Sequence, residues 1–178
     1  MLSRESLATA IAALSKRDFT IFIEDGRVVP FFFSQESFFH LLGLHYLADM
    51  QTISKPRSKS AVVRQLLKDE RLFKTIQKSA YFPKVQARIE EFGRIVDMLI
   101  SDTCEVIIDF DKSKVPSAKI ESTLLLYKTD DHISYYLLGI MQGTDGRYYP
   151  ETYLTEGSKY YVSGQQIWTC TITSVEHK

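Results

Sequence analysis

The stretch TLLLYKTDDHISYYLLGIMQGTDGRYYPETYL, residues 123–154, decides the fold class. Three segments in it, Thr123 to Lys128, Ser134 to Met141 and Arg147 to Leu154, are rich in apolar and aromatic residues of the kind that form strands. The sequences Thr-Asp-Asp-His and Gly-Thr-Asp-Gly between them are typical of turns. Strands joined by connections this short pair antiparallel, so the stretch predicts a β-meander.

Working outward, we find helical spacing of apolar residues before this stretch and further strands around it. The predicted helices are Ser3 to Lys16, Ser34 to about Met50, Ala61 to Asp69, Arg71 to Ser79, and a longer helix that starts at Pro83 and carries Val85, Ile89, Phe92, Val96 and Leu99. The remaining predicted strands are Phe19 to Ile23, Val28 to Phe33, Glu105 to Phe110, Lys159 to Val162 and Ile167 to Val175.

This order predicts an α+β fold, with N-terminal helices packed on a twisted antiparallel sheet that the C-terminal half mainly forms. A chain of 178 residues suits one domain. We therefore predict a single domain over 1–178, with a helical half of about 1–101 and a sheet half of about 102–178.

The composition excludes several classes of protein. No run approaches the ~18 uninterrupted apolar residues of a membrane helix, so we predict no membrane association. The two cysteines, Cys104 and Cys170, lie in different apolar strands, which predicts reduced, buried thiols and a cytoplasmic location. Neither the cysteine and histidine spacing nor the glycines predict a metal site, a phosphate loop or any cofactor.

The charges are distributed unevenly, although the net charge of the chain is zero. Residues 51–88 contain ten Lys or Arg and only two acidic residues, a local net charge of +8. A basic segment of this kind attracts polyanions such as RNA, whereas a solvated helix face balanced by nearby acidic strands is an equally good explanation.

A second stretch, SQESFFHLLGLHYL from Ser34 to Leu47, contains two histidines and a glycine among apolar residues. Ser34 is a suitable N-cap. A buried histidine needs a hydrogen-bond partner or a cavity, so each histidine belongs either to the core or to a site. We predict that His40 lines a polar cleft and that His45 packs in the core or at its margin. The predicted helix would put Gly43 on the His40 face, where a ligand or backbone could come close.

Residues 38–44, Phe-Phe-His-Leu-Leu-Gly-Leu, resemble the Phe-x-His-Leu-Thr-Gly signature of phage-associated nucleases of the barnase–EndoU–colicin–RelE-like class. Leu42 stands where that signature has a hydroxyl residue. Tyr149-Pro150-Glu151-Thr152-Tyr153 and Lys159-Tyr160-Tyr161 are similar to the late strands of the group. The resemblance thus involves both ends of the chain and implies a toxin-like, RNA-cleaving protein of a bacterial phage or mobile element, with a possible protein inhibitor as partner.

The resemblance further implies metal-independent acid–base cleavage. It assigns His40, Glu151 and Thr152 to catalysis. Nucleic-acid binding would then involve Lys55, Arg57, Lys59, Tyr149, Lys159 and Tyr160, the basic residues at phosphates and the tyrosines against unpaired bases. Two other hypotheses remain open: a non-catalytic module of the same fold that binds nucleic acid or protein, and an enzyme that binds a small molecule between helix and sheet.

Overall fold

The computed structural model describes residues 3–101, 106–130, 134–156 and 160–177, which form seven α-helices and seven β-strands. The helices are α1 (Arg4–Ser15), α2 (Gln35–Leu41), α3 (Gln51–Ser54), α4 (Lys59–Lys68), α5 (Glu70–Gln77), α6 (Gln86–Glu90) and α7 (Gly93–Val96). The strands are β1 (Arg17–Ile23), β2 (Val28–Phe32), β3 (Val106–Asp109), β4 (Leu124–Asp130), β5 (Ser134–Gln142), β6 (Tyr148–Glu156) and β7 (Gln166–Glu176).

The seven strands form a closed barrel in the order β1-β2-β6-β5-β4-β3-β7. Strands β4, β5 and β6 are the predicted meander. Strand β1 pairs antiparallel with β7 along its whole length, and β2 contacts β6 in parallel where Phe31 lies opposite Tyr148. The α+β class and the N-terminal position of most helices are therefore confirmed. The sheet is antiparallel except where β2 meets β6, but it closes into a barrel and is not the open twisted sheet predicted.

A single large apolar cluster joins the helices to one face of the strands. It contains Leu14 of α1, Phe38 of α2, Phe92 between α6 and α7, and Ile172 of β7, each at most 6% exposed. Tyr153 of β6 is also fully buried there, and its hydroxyl donates to the Glu91 carbonyl over 2.8 Å. The predicted helical and sheet halves thus share a core, because both supply side chains to it.

Helix α2 begins as predicted and ends much earlier. Ser34 caps it by accepting from the Ser37 amide, while the Ser37 hydroxyl lies near the Ser34 amide, a reciprocal capping arrangement. The helix ends at Leu41 because Gly43 adopts a left-handed φ of +70°, after which a 3₁₀ turn runs from Leu44 to Tyr46. The predicted helix to Met50 is therefore wrong, and His40 and Gly43 do not share a helical face.

Two further predicted elements differ from the structure. The helix that was to start at Pro83 is divided into a 3₁₀ turn (Phe82–Lys84), α6, α7 and a π-helical turn (Asp97–Ser101). Residues 160–163 form a turn, so the predicted strand Lys159 to Val162 is wrong over its described residues. Lys159 lies outside the described residues. In the described part of the chain, no helix is long and apolar enough to cross a membrane.

The end of α2 gives the first testable prediction, on Gly43→Ala. A β-carbon at Gly43 would lie 3.1 Å from the Val85 side chain and 3.2 Å from the Tyr46 ring, in addition to the strain of its positive φ. We expect the substitution to lower the free energy of unfolding by about 1–3 kcal/mol in urea denaturation. Gly164→Ala is the matched control, because Gly164 has a similar φ of +74° but open space around it. Equal losses in the two variants would contradict the packing argument.

Candidate active site

A cleft of about 440 Å³ lies between α2, the first residue of α4 and strand β6, and we call it the α2–β6 cleft. Seven of its nine lining residues have polar or charged side chains, which distinguishes it from the apolar core behind α2. Its walls are formed by Ser34, Glu36, Ser37, His40, Lys59, Met141, Tyr149, Pro150 and Glu151. Four residues predicted for the site from the sequence, His40, Lys59, Tyr149 and Glu151, therefore face one cavity.

Helix α2 positions His40 at the boundary between core and cleft. Phe38, Phe39 and Leu41 are at most 1% exposed, so both neighbours of His40 along the chain anchor the helix in the core. His40 itself is half-buried, and the Phe39 ring lies edge-on to the imidazole at 5.5 Å. The imidazole thus has little freedom to turn away from the cleft.

Lys59 is the immediate partner of His40. The Lys59 Nζ lies 3.0 Å from the His40 Nε2. An ammonium group can only donate, so Nε2 accepts and the neutral imidazole carries its proton on Nδ1. Burial lowers the pKa of His40, the Lys59 charge lowers it further, and Glu36 opposes both. His40 is therefore neutral at pH 7 and able to accept a proton.

A β-bulge in β6 presents Glu151 to the cleft. Gly139 of β5 pairs with Thr152 and the next residue, Ile140, pairs with Pro150, so Glu151 is the extra residue without a partner across the strands. Bulges of this kind redirect a side chain and are common next to active sites. The buried Ser122 hydroxyl donates to Glu151 Oε2 over 2.6 Å, which fixes the carboxylate through one of its two oxygens.

Gly139 makes the contact between Ser122 and Glu151 possible. A β-carbon at this position would overlap the Ser122 hydroxyl and would lie 2.6 Å from the Thr152 methyl group. Only glycine leaves this space free. Thr152 packs beside Gly139 and is not part of the cleft wall. Neither Ser122 nor Gly139 was predicted from the sequence to belong to the site. The feature that could have indicated it is a glycine inside an apolar strand, because such glycines often mark a bulge or a close approach.

Three other predicted binding residues, Lys55, Arg57 and Tyr160, lie outside this cleft. Lys55 and Arg57 are exposed in the segment between α3 and α4, just before Lys59. Tyr160 is exposed, with its hydroxyl against the Ser117 hydroxyl. Lys159 lies outside the described residues.

His45, expected in the core or at its margin, is exposed on one side, while its ring is covered by Tyr46 at 4.0 Å and Phe39 at 6.4 Å.

Among the described residues, no group of three or more His, Cys, Asp or Glu side chains converges as a metal site would require. Asp109, the carboxylate at the end of β3, accepts instead from the two terminal guanidinium nitrogens of Arg27 at 2.7 and 2.9 Å and from the Trp168 indole at 2.8 Å.

The cleft thus brings together a neutral histidine, a lysine and a held carboxylate, residue types that acid–base catalysis uses. The family described as phage-Barnase-EndoU-ColicinE5/D-RelE like nuclease 4 matches this chain over residues 6–177. The chain belongs to that nuclease family, in agreement with the resemblance seen in the sequence. The searches of curated proteins and of solved structures found no match.

The contact between Lys59 and His40 gives the second prediction. Lys59→Met removes a positive charge beside the imidazole, so the pKa of His40 should rise towards 6.5, although burial still keeps it lower. Titration of the His40 ring by NMR checks this. Lys55→Met, which removes a nearby but exposed cation, should leave the titration of His40 unchanged. An unchanged His40 titration in Lys59→Met would mean that the two side chains do not interact in solution.

Proposed function

We propose that the α2–β6 cleft cleaves single-stranded RNA by metal-independent acid–base catalysis. The observation that carries this proposal is that His40, Lys59 and Glu151 line a single cleft. Such a reaction needs a base for the 2′-hydroxyl, a proton donor for the leaving oxygen, and a cation for the charge that develops on the phosphate. The cleft supplies one group suited to each role.

In this proposal His40 is the base. It starts neutral because burial and Lys59 lower its pKa, and its Nε2 faces the Lys59 ammonium. An incoming phosphate is a stronger partner for an ammonium than an imidazole is, so Lys59 would turn to the phosphate. That exchange frees Nε2 to take the proton of the 2′-hydroxyl and leaves Lys59 where it stabilises the pentavalent phosphorus.

Glu151, in its carboxylic acid form, would deliver a proton to the leaving 5′-oxygen, while Ser122 donates to its Oε2 and holds the group in place. The proton that His40 takes up would return to Glu151 through water after cleavage, which restores both groups. Tyr149, in the same wall, offers a ring on which an unpaired base can stack. Thr152 would then be a packing residue behind Glu151 and not a catalytic group. Lys55 and Arg57, just before Lys59 in the chain, would contact the neighbouring phosphates.

The family and the chemistry together suggest the biological setting that we propose. A phage-associated nuclease with these residues would act as a toxin-like enzyme on RNA in a bacterial cytoplasm. The described cysteine, Cys170, is free and buried, which agrees with a reducing compartment. In this setting, the protein partner that we propose is an inhibitor that occupies the cleft.

Cleavage of a labelled RNA oligonucleotide with EDTA present tests the reaction. We expect His40→Ala and Glu151→Gln each to lower the rate by about 10²–10⁴-fold, since each removes one proton-transfer group. Neither should shift the melting temperature by much, because both side chains line a cleft. His177→Ala is the control: its ring pairs with Asp18 at 3.2 Å and has no part in the cleft.

The same assay separates the proposal from its rival, a non-catalytic binding module. An oligonucleotide with 2′-deoxy sugars should bind and remain intact, because it lacks the nucleophile. Binding of RNA by the wild-type protein without any turnover would contradict the catalytic proposal and favour the module. A requirement for added divalent cations would contradict the metal-independent mechanism.

The basic segment gives a separate prediction. In Lys55→Ala/Arg57→Ala, RNA affinity should fall and the slope of log affinity against log salt should flatten by about 1.4, which is ~0.7 for each lost phosphate contact to a single strand. Fluorescence anisotropy at several salt concentrations measures it. Lys68→Ala/Lys78→Ala is a matched control, because both lysines are exposed in the same basic segment but lie far from Lys59 in the chain. Equal salt slopes for the two double variants would show that the basic residues attract RNA only through their summed charge and not through particular phosphate contacts.

A further inference from the structure

Arg88 on α6 is a half-buried cation that the proposed reaction does not use. Its stem packs under the turn after α2, where a β-carbon at Gly43 would lie 3.3 Å from Arg88 Cδ. Its guanidinium carbon lies 5.4 Å from the centre of the Tyr46 ring, a cation–π distance. The side chain is therefore held in one direction by its packing.

Arg88 is also incompletely neutralised. Among the described residues it takes part in no ion pair, unlike Arg94, which pairs with Glu91 at 3.4 Å and Asp97 at 3.9 Å. Burial lowers the pKa of Arg88, and the Tyr46 hydroxyl and the Glu156 carboxylate oppose this effect. Burial likewise raises the pKa of Glu156, against the influence of Arg88, so this carboxylate is itself held in a poorly hydrated place.

Aromatic rings connect Arg88 to the α2–β6 cleft. The Tyr46 ring contacts His45 at 4.0 Å, and the His45 ring lies 5.6 Å from that of His40. Burial raises the pKa of Tyr161 and the charge of Arg88 lowers it, so Tyr161 lies within electrostatic range of Arg88. The Tyr161 ring lies 5.0 Å from that of the exposed Tyr160. Ring contacts thus link His40 through His45 and Tyr46 to the Arg88 guanidinium.

We propose that Arg88, held against the Tyr46 ring, binds the phosphate of an RNA nucleotide adjacent to the one cleaved in the α2–β6 cleft. This inference rests on the proposed function, because it extends the substrate of the same site. A guanidinium fork suits a phosphate geometrically, and a poorly hydrated cation gains more from an incoming anion than an exposed one does. Tyr160 and Tyr161 would offer stacking surfaces for the base that follows, which requires an unpaired strand.

The stacking proposed for Tyr160 and Tyr161 requires unpaired bases, which a duplex does not offer. The proposal therefore assigns a single-stranded RNA longer than a dinucleotide as the ligand.

The test measures binding of a non-cleavable, 2′-O-methyl RNA hexanucleotide and of the corresponding dinucleotide by fluorescence anisotropy over a range of salt concentrations. For Arg88→Met we expect about ten- to a hundredfold weaker binding of the hexanucleotide and a salt slope lower by about 0.7. The gain in affinity on lengthening the ligand from two to six nucleotides should shrink. Arg88→Lys, which keeps the charge, should keep most of the slope.

Arg94→Met is the matched control, because Arg94 also lies 5.4 Å from a tyrosine ring, that of Tyr136, but has carboxylate partners. It should bind both ligands as the wild type does. If Arg88→Met does not fold, the same measurement is made on Arg88→Gln, which keeps a planar hydrogen-bonding group. A wild-type salt slope in the folded Arg88 variant, or an equal loss in Arg94→Met, overturns the proposal.

The two proposals fail in different ways. Since the ligand in this assay cannot be cleaved, an Arg88-dependent salt slope without turnover of ordinary RNA would refute the reaction and keep the phosphate site. Cleavage with a slope that does not depend on Arg88 would keep the reaction and refute the phosphate site.

Discussion

The antiparallel pairing of β1 with β7 is the interaction on which the rest of the structure depends. It joins the two ends of the chain, from Arg17 opposite Glu176 to Ile23 opposite Cys170, and it closes the barrel. Closure satisfies strand edges that would otherwise offer unpaired amides and carbonyls. It also holds β2 in place beside β6. The contact of β2 with β6 at Tyr148 lies next to the β6 residues that form one wall of the cleft. The site is therefore built on a rigid frame whose closing contact is the longest-range pairing in the chain.

Within that frame, the cleft depends on two local irregularities. The bulge at Glu151 breaks the alternation of β6, and without the extra residue its carboxylate would not be positioned as it is. The missing side chain at Gly139 lets the Ser122 hydroxyl reach that carboxylate. Each departure from regular strand geometry costs some stability, which is the usual finding at sites that must hold a polar group in a defined direction. The two irregularities act together, since Gly139 is opposite Thr152, the neighbour of the bulged residue.

The sequence predicted what depends on local pattern and missed what depends on distant partners. The meander, the Ser34 cap and the placement of His40 beside a polar cleft follow from periodicity, capping chemistry and a signature. Barrel closure did not follow, because nothing near β1 or β7 in the chain identifies its partner. The end of α2 was missed since apolar residues continue through Gly43 to Leu47, and only the left-handed φ of that glycine shows that the helix has stopped. Arg88 was one of ten basic residues in its segment, and only its burial against Tyr46 sets it apart.

Two positive charges near His40 are only partly hydrated. Lys59 lies against the imidazole, and Arg88 is half-buried and takes part in no ion pair among the described residues. The same cations disfavour protonation of His45. Burial lowers the pKa of His45, and the charges of His40, Arg88 and Lys59 lower it further, to about 4. A bound polyanion relieves all of these penalties at once, because its phosphates supply the missing negative charge in a poorly hydrated place. Binding would then also change the protonation of the site: as Lys59 turns to a phosphate, the proton affinity of His40 rises at the moment when it must act as a base. The partial burial of positive charge near His40 and the proposed proton transfer thus have the same physical cause.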